Sequence, residues 1–264
     1  MSKINIEWLQ KLKSKAEKIV ALTAYDASFA KILDAAGMEI ILVGDSLGMV
    51  LHGHADTLHV SMENMIYHIK QVATGTKNSM IVGDMPCASY LDKHDGFANA
   101  KRLVEEGGAD MVKLERGDKN TCSIIEYIAC HDIPVCAHLG LTPQFIKELG
   151  GYVVQGKDPA TARQIQMDAL AVEAAGASML VLECVPATLA ESITHALRIP
   201  VLGIGAGVAC DGQVLVLYDI LGISGYQLKL SKNFLADTAG SIQDAVLAYI
   251  TAVKAGDFPI ETQQ

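Results

Sequence analysis

The chain has 264 residues, half of them hydrophobic and 19% charged, with a net charge of −9 at pH 7. That is the composition of a well-buried globule and not of a disordered chain, and its acidic balance argues against nucleic acid as a bulk partner. No apolar run approaches the roughly 18 residues that span a bilayer. Lys and Arg are dispersed, with no patch for a membrane surface, and Met1–Glu7 carries no signal-peptide h-region, so the expected location is the cytoplasm.

Residues Ile6 to Lys18 set apolar and basic positions at helical spacing, which predicts a helix packed across one end of the domain. Ile19 to Asp26 reads as a first strand and Ser28 to Ala36 as a helix ended by Gly37. Further strands are expected at Ile40–Asp45, Met80–Asp84, Met111–Glu115, Pro134–Gly140, Met179–Glu183, Val201–Gly207 and Val214–Ile220. Helices are expected from Met62 to about Thr74, capped by Ser61, and over Phe97–Glu106, Asn120–Cys130, Ala160–Ala175 and Ala187–Leu197. A last helix lines up Ile242, Val246, Tyr249, Ile250 and Val253. Ser46–Thr57 and the stretch after His138-Leu139-Gly140 read as loops over the strand ends.

The helix stops recur as Ala35-Ala36-Gly37, Glu106-Gly107-Gly108 and Ala175-Gly176-Ala177, each just before a strand. The strands are continuous apolar runs, as in parallel sheets buried on both faces. Regular alternation over a length close to the roughly 250 residues of one (β/α)8 barrel predicts an α/β TIM barrel with an N-terminal helix, a single domain over residues 1–264.

The polar residues Asp26, Asp45, Ser46, Asp84, Glu115, His138 and Glu183 all fall at predicted strand ends, on the rim where barrel active sites form. Any one of them alone reads equally well as a helix cap or a paired ion. Asp45, Asp84 and Glu115 end three successive strands after the same kind of apolar run, so a closed barrel brings them together. Clustered carboxylates repel and need a cation, and an oxygen-only ligand set favours Mg2+ over zinc.

Other motifs are weaker. His52, His54 and His59 fit no standard zinc spacing and read as solvated loop residues. Gly203-Ile204-Gly205-Ala206-Gly207 is either a phosphate turn after strand seven or a place of close backbone packing. The six cysteines form no Cys-x-x-Cys and read as small buried hydrophobes. No Gly-x-Ser-x-Gly elbow supports a hydrolase triad.

Taken together, Leu42-Val43-Gly44-Asp45-Ser46-Leu47-Gly48, Gly53-His54, His138-Leu139-Gly140-Leu141-Thr142-Pro143-Gln144, Gly150-Gly151-Tyr152, Leu182-Glu183-Cys184-Val185-Pro186 and Gly203-Ile204-Gly205-Ala206-Gly207 resemble the ketopantoate hydroxymethyltransferase family, the likeness running over nearly the whole chain from Thr23-Ala24-Tyr25-Asp26 to Ser231-Lys232-Asn233-Phe234. The resemblance implies a barrel of the phosphoenolpyruvate/pyruvate type. It implies transfer of a hydroxymethyl group from 5,10-methylenetetrahydrofolate to 3-methyl-2-oxobutanoate, giving 2-dehydropantoate for pantothenate synthesis. Asp45, Asp84 and Glu115 would hold Mg2+. Asp45, Ser46, Asp84, Lys113 and His138 would surround the keto acid, and Glu183 would be the base. The family assembles as rings, typically homodecamers.

The chain departs from the family pattern at four places. Arg116 stands where glycine is usual, Cys87-Ala88 replaces a bulkier pair, Lys157 replaces Arg, and Gln227–Leu230 lacks the usual Pro-Lys-Phe. Lys229 and Lys232 could meet a folate glutamate tail, but solvated surface charge accounts for them better. Two rival readings are a metal-dependent lyase of the isocitrate-lyase kind, whose Lys-Lys-Cys-Gly-His pattern is absent, and a non-catalytic metabolite-binding barrel.

Overall fold

Eight short apolar runs become eight parallel strands because each is shielded on both faces. They are β1 (Ile19–Thr23), β2 (Ile40–Val43), β3 (Met80–Asp84), β4 (Met111–Glu115), β5 (Val135–Gly140), β6 (Met179–Glu183), β7 (Val201–Ile204) and β8 (Gly212–Leu215). In the computed structural model, which describes residues 3–225, 230–238 and 240–260, they close in sequence order into a barrel, β8 returning to pair with β1. The surrounding helices are α1 (Ile6–Ser14), α2 (Ala27–Ala36), α3 (Leu47–Val50), α4 (Met62–Gly75), α5 (Lys93–Arg102), α6 (Lys119–Ala129), α7 (Pro159–Ala174), α8 (Ala187–Ala196), α9 (Leu217–Ile220) and α10 (Ile242–Ala255). The (β/α)8 barrel expected from the sequence is the observed fold. Among the described residues no helix is long and apolar enough to cross a membrane.

Two hydrophobic clusters divide the work. Leu9 and Leu12 of α1 close the lower end of the barrel against Ile19, Ile40, Met80, Met111, Cys136, Met179, Leu202 and Val214. Outward-facing strand residues such as Val20, Leu22, Ile41, Ile81, Val112 and Leu180 pack against the helices in a second, larger cluster. Because side chains alternate along a strand, one row of each strand points inward. Met80, Val82 and Asp84 share a face, as do Met111, Lys113 and Glu115, and Met179, Val181 and Glu183. The apolar members fill the barrel, and the last member of each row arrives at its upper mouth.

The helices start on side-chain caps. Asp26, Asp92, Asp118 and Asp158 each accept two backbone N–H groups at the start of α2, α5, α6 and α7. Ser61 and Asn64 form a reciprocal capping box at α4. Asp26, one of the rim acids picked out in the sequence, therefore has a structural role, and β1 stops before it at Thr23.

Several boundaries differ from the expected ones. α1 ends at Ser14, not Lys18, and Ala16 turns left-handed (φ 54°) on the way into β1. α5 begins at Lys93, four residues before Phe97, because Asp92 caps it, and it ends in a wider π turn over Leu103–Gly107. The expected eighth strand, Val214–Ile220, is a strand only to Leu215, and Leu217–Ile220 is the short helix α9. A continuous apolar run has no period that separates strand from buried helix, and the Leu217 N–H is taken by Thr23 Oγ1 at 3.0 Å, which ends the ladder. β8 also starts earlier than expected, at Gly212, where a Cβ would come within 2.1 Å of Ile19 O.

Asp34 on α2 ties that helix to the start of β3. It accepts from Asn78 N (2.8 Å), Ser79 N (2.7 Å) and Ser79 Oγ (3.0 Å). Partial burial raises its pKa, but these donors outweigh burial and hold the carboxyl below the usual range. The stabilisation is thus present above the ordinary carboxylate pKa and is lost as pH falls through the lower folded value. Asp34→Ala should cost about 1–3 kcal/mol at pH 7, as loss of hydrogen bonds to a charged group does. In urea denaturation at falling pH, the gap to the unsubstituted protein should narrow below the ordinary carboxylate range.

Candidate active site

The mouth of the barrel collects three carboxylates and an ammonium that are almost wholly shielded from water. Register places Asp84 beside Lys113 and Glu115 beside His138. Asp45 follows β2, and Asp45, Asp84, Lys113, Glu115 and His138 are each no more than 4% exposed. Lys113 Nζ donates to Asp84 Oδ1 at 2.6 Å and lies 4.0 Å from Glu115 Oε1. The Asp45 N–H donates to Asp84 Oδ2 at 3.2 Å.

Charge within this cluster is unbalanced. Burial raises the Asp45 pKa well above the usual value, and the neighbouring Asp84 raises it further. Burial also raises Asp84, which Lys113 only partly offsets. Lys113 shows the converse: burial disfavours its charge, but Asp84, Glu115 and Asp45 outweigh that and lift its pKa. One ammonium does not neutralise three buried carboxylates, and burying charge without a partner is costly.

His138 sits between two acids. Its Nδ1 is 3.4 Å from Glu115 Oε1 and its Nε2 is 3.3 Å from Glu183 Oε2. Burial lowers the imidazole pKa, but the two carboxylates outweigh it and bring the group to about 9. These contacts are electrostatic rather than aligned hydrogen bonds, since both ring nitrogens and Glu115 Oε1 are buried without a hydrogen-bond partner. Glu183 is 15% exposed at its side chain, the most open of these acids. Its apolar neighbours in the chain suggest a partly apolar setting; the tertiary structure adds the imidazole beside it.

Ser46 Oγ is 2.9 Å from the Tyr25 hydroxyl, half-buried at the edge of the cluster. The loop expected over Ser46–Thr57 begins instead with the single turn α3.

Two residues to which sequence reasoning gives no role close the site. Gln144 Nε2 donates to Asp45 Oδ2 and to Met85 O, both at 2.9 Å, and its backbone N–H donates to Glu115 Oε2 at 3.0 Å. Tyr90 donates to Gln144 Oε1 at 2.6 Å. A buried amide thus makes one bridge between acids from two strands. The available signal is a polar residue in the otherwise largely apolar run Leu141-Thr142-Pro143-Gln144-Phe145.

The donor set suits a hard divalent cation. All three acids offer oxygen atoms, Lys113 leaves the cluster short of positive charge, and Glu115 Oε1 has no hydrogen-bond partner. Among the described residues no three His, Cys, Asp or Glu side chains are drawn into a ready ligand cage, but Mg2+ keeps several waters and takes only one or two carboxylates.

The remaining motifs fall away from the site. His52, His54 and His59 are exposed, and the ring centroids of His52–His54 and His54–His59 are 5.6 and 5.4 Å apart. Close packing accounts for the glycine turn after β7, since a Cβ on Gly203 would meet Cys210 Sγ at 2.9 Å and one on Gly205 would meet Leu230 and Cys184. All six cysteines are unpaired, but only Cys136 and Cys210 are fully buried, and Cys130 is exposed. Lys157 is exposed. Lys232 pairs with Asp237 at 2.9 Å on the surface. Residues 227–229, including Lys229, lie outside the described residues.

An eight-stranded parallel barrel with buried acids, a lysine and a histidine gathered at the C-terminal ends of its strands is built as an enzyme. The barrel is shared with the phosphoenolpyruvate phosphomutase of Streptomyces platensis subsp. rosaceus, which superposes with a TM-score of 0.61 at 13% identity, over 96% of each chain. Residues 3–261 match the family model for ketopantoate hydroxymethyltransferase. The chain is 52% identical to the 3-methyl-2-oxobutanoate hydroxymethyltransferase of Nitrosococcus oceani over 98% of each chain. It is also 52% identical to the protein of that name from Tolumonas auensis, over 98% of this chain and 97% of the relative. The chain belongs to the ketopantoate hydroxymethyltransferase family and is an enzyme of the transferase class.

Gly140 is where β5 meets the Glu183 backbone. It sits at φ 91°, and a Cβ there would lie 2.2 Å from Glu183 O and 2.7 Å from Val185 Cγ1. Gly140→Ala should cost about 1–3 kcal/mol through overpacking. By displacing Glu183 it should also lower kcat by about tenfold or more, read by steady-state kinetics beside a thermal melt.

Proposed function

We propose that the protein transfers a hydroxymethyl group from 5,10-methylenetetrahydrofolate to 3-methyl-2-oxobutanoate, giving 2-dehydropantoate, the first step of pantothenate synthesis. The observation that carries this reading is the charge-deficient cluster Asp45–Asp84–Glu115 with Lys113 in its midst, in a chain of this family.

Asp45, Asp84 and Glu115 would hold Mg2+. When bound, the ion supplies Lewis acidity toward the ketone and carboxylate oxygens of the keto acid, which makes its C3–H more acidic. The protein does the rest. Lys113, kept charged by its three acidic neighbours, offers a fixed positive charge to the substrate carboxylate. Ser46 and Asp84 stand at the edge of the same space to orient it. Glu183, on the open side of His138, takes the C3 proton. His138, held positive between Glu115 and Glu183, keeps the base aimed. The carbon so freed forms a C–C bond to the one-carbon unit of the folate; water then replaces the folate nitrogen on that unit, the C–N bond breaking as the nitrogen takes a proton, so that tetrahydrofolate leaves and the hydroxymethyl group remains on the keto acid. Gln144 and Tyr90 keep Asp45 and Glu115 fixed without occupying all of their oxygens.

Two outcomes test this. Glu183→Gln should retain keto acid binding in the presence of Mg2+ yet lose exchange of the C3 proton with deuterated water, followed by NMR. Exchange at the unsubstituted rate would overturn the base assignment. Asp45→Ala and Asp84→Ala should each lose Mg2+-dependent keto acid binding in calorimetric titration, and unchanged affinity in both would remove the cation site.

The same reading includes a cytoplasmic location and a homodecameric ring. Light scattering on the purified protein should give a mass near ten times the 28.1 kDa of one chain.

A further inference from the structure

We infer that Arg116 is a latch that holds the Gln144 turn closed over the acid cluster, a positioning residue that sets keto acid affinity. The inference rests on the proposed role of that cluster, and it starts from a backbone anomaly.

Arg116 directly follows Glu115. Its φ is 80°, in the left-handed region that a Cβ disfavours. Its N–H still donates to His138 O at 3.0 Å, so the β4–β5 ladder continues one residue beyond Glu115 before the chain turns. A long cationic side chain kept at a position suited to glycine needs contacts that offset the strain.

Those contacts all lie on one segment. The guanidinium sits 3.4 Å from the centroid of the Phe145 ring, and it forms an ion pair with Glu148. Phe145 closes the turn Pro143–Phe145 that presents Gln144. Glu148 lies one turn further on, its N–H donating to Phe145 O at 2.9 Å. Arg116 therefore grips the outer side of a small folded unit whose inner side, Gln144, reaches Asp45, Met85 O and Glu115. The unit ends at Gly150 and Gly151, at φ 78° and 108°, with open space around both. Beyond the gripped part the chain is thus held by its own backbone bonds, the Gly151 N–H donating to Ile146 O at 3.0 Å.

The arrangement has a physical consequence. If the turn opens, Asp45 Oδ2 and Glu115 Oε2 lose their amide donors together, and two acids from different strands are no longer fixed relative to each other. Only the closed state then binds keto acid well, and affinity falls by the closed fraction. A planar guanidinium can stack on Phe145 and pair with Glu148 at once, which an ammonium cannot do equally well. Lysine should therefore replace Arg116 only in part.

The test uses Arg116→Gly, Arg116→Lys and Phe145→Leu. Glycine suits the left-handed backbone, so Arg116→Gly should fold and melt no lower than the unsubstituted protein. In the ligand-free protein, hydrogen–deuterium exchange at the Gln144, Leu149 and Gly151 amides should quicken by about fivefold or more in Arg116→Gly. Calorimetric titration with 3-methyl-2-oxobutanoate and Mg2+ should show affinity weakened by about five- to tenfold, the size of one partly exposed cation–π contact. KM should rise accordingly while kcat changes by less than about threefold. Arg116→Lys should fall between, and Phe145→Leu combined with Arg116→Gly should add little to either alone. Unchanged amide exchange would overturn the latch, and faster exchange with unchanged affinity would overturn its link to the site. Were the unsubstituted protein to bind no keto acid, the proposed function would fail, while the exchange measurement would still judge the latch.

Discussion

The contact on which the site depends is the buried pair of Lys113 and Asp84, 2.6 Å apart at the mouth of the barrel. A charge shielded from water must be met by another charge or by hydrogen bonds. Lys113 meets Asp84 directly and lies near Glu115 and Asp45, which keep it protonated. The converse is incomplete, because Lys113 and the His138 imidazolium together bring two positive charges to the four carboxylates Asp45, Asp84, Glu115 and Glu183. The fold thus carries a standing deficit of positive charge at one point, and the chemistry proposed for the protein follows from filling it.

The barrel provides that point through strand geometry. Alternation of side chains puts Met80 and Val82 below Asp84, and Met111 below Lys113 and Glu115, so each apolar interior row ends in a group of chemical use. The lower layers, closed by Leu9 and Leu12, resist movement because they are packed. Function is concentrated in the top layer and in the segments crossing it. Gln144 and Tyr90 extend the rigidity of the strands into that layer by hydrogen bonds, and Arg116 grips the segment from outside. His138 joins the charged cluster to Glu183 across β5 and β6.

Much of this is legible in the chain itself. The strand ends at Asp84, Glu115 and Glu183 can be read to the residue, because an apolar run stopped by an acid marks the point where a buried strand reaches the rim. The cap role of Asp26 cannot be separated from a site role in the same way, since both need a carboxylate at a strand end. The eighth strand is shorter than its apolar run, because Val214–Ile220 has no usable period to mark where extended chain gives way to helix. The start of α5 is hidden because Asp92 caps a first turn, Lys93-His94-Asp95-Gly96, that has no apolar spacing. Gln144 closes the motif that begins at His138, but its partners lie 29 residues away at Glu115 and 99 away at Asp45.

Local pattern and side-chain periodicity are enough to give the alternation of strands and helices, hence the barrel, and to say which acids reach its rim. Folding in three dimensions sets which of those acids share a charge problem, that His138 lies between Glu115 and Glu183, that Gln144 reaches both Asp45 and Glu115, and that Arg116 stacks on Phe145. Those relations are distances between segments far apart in the chain, and such distances exist only once β8 has closed on β1.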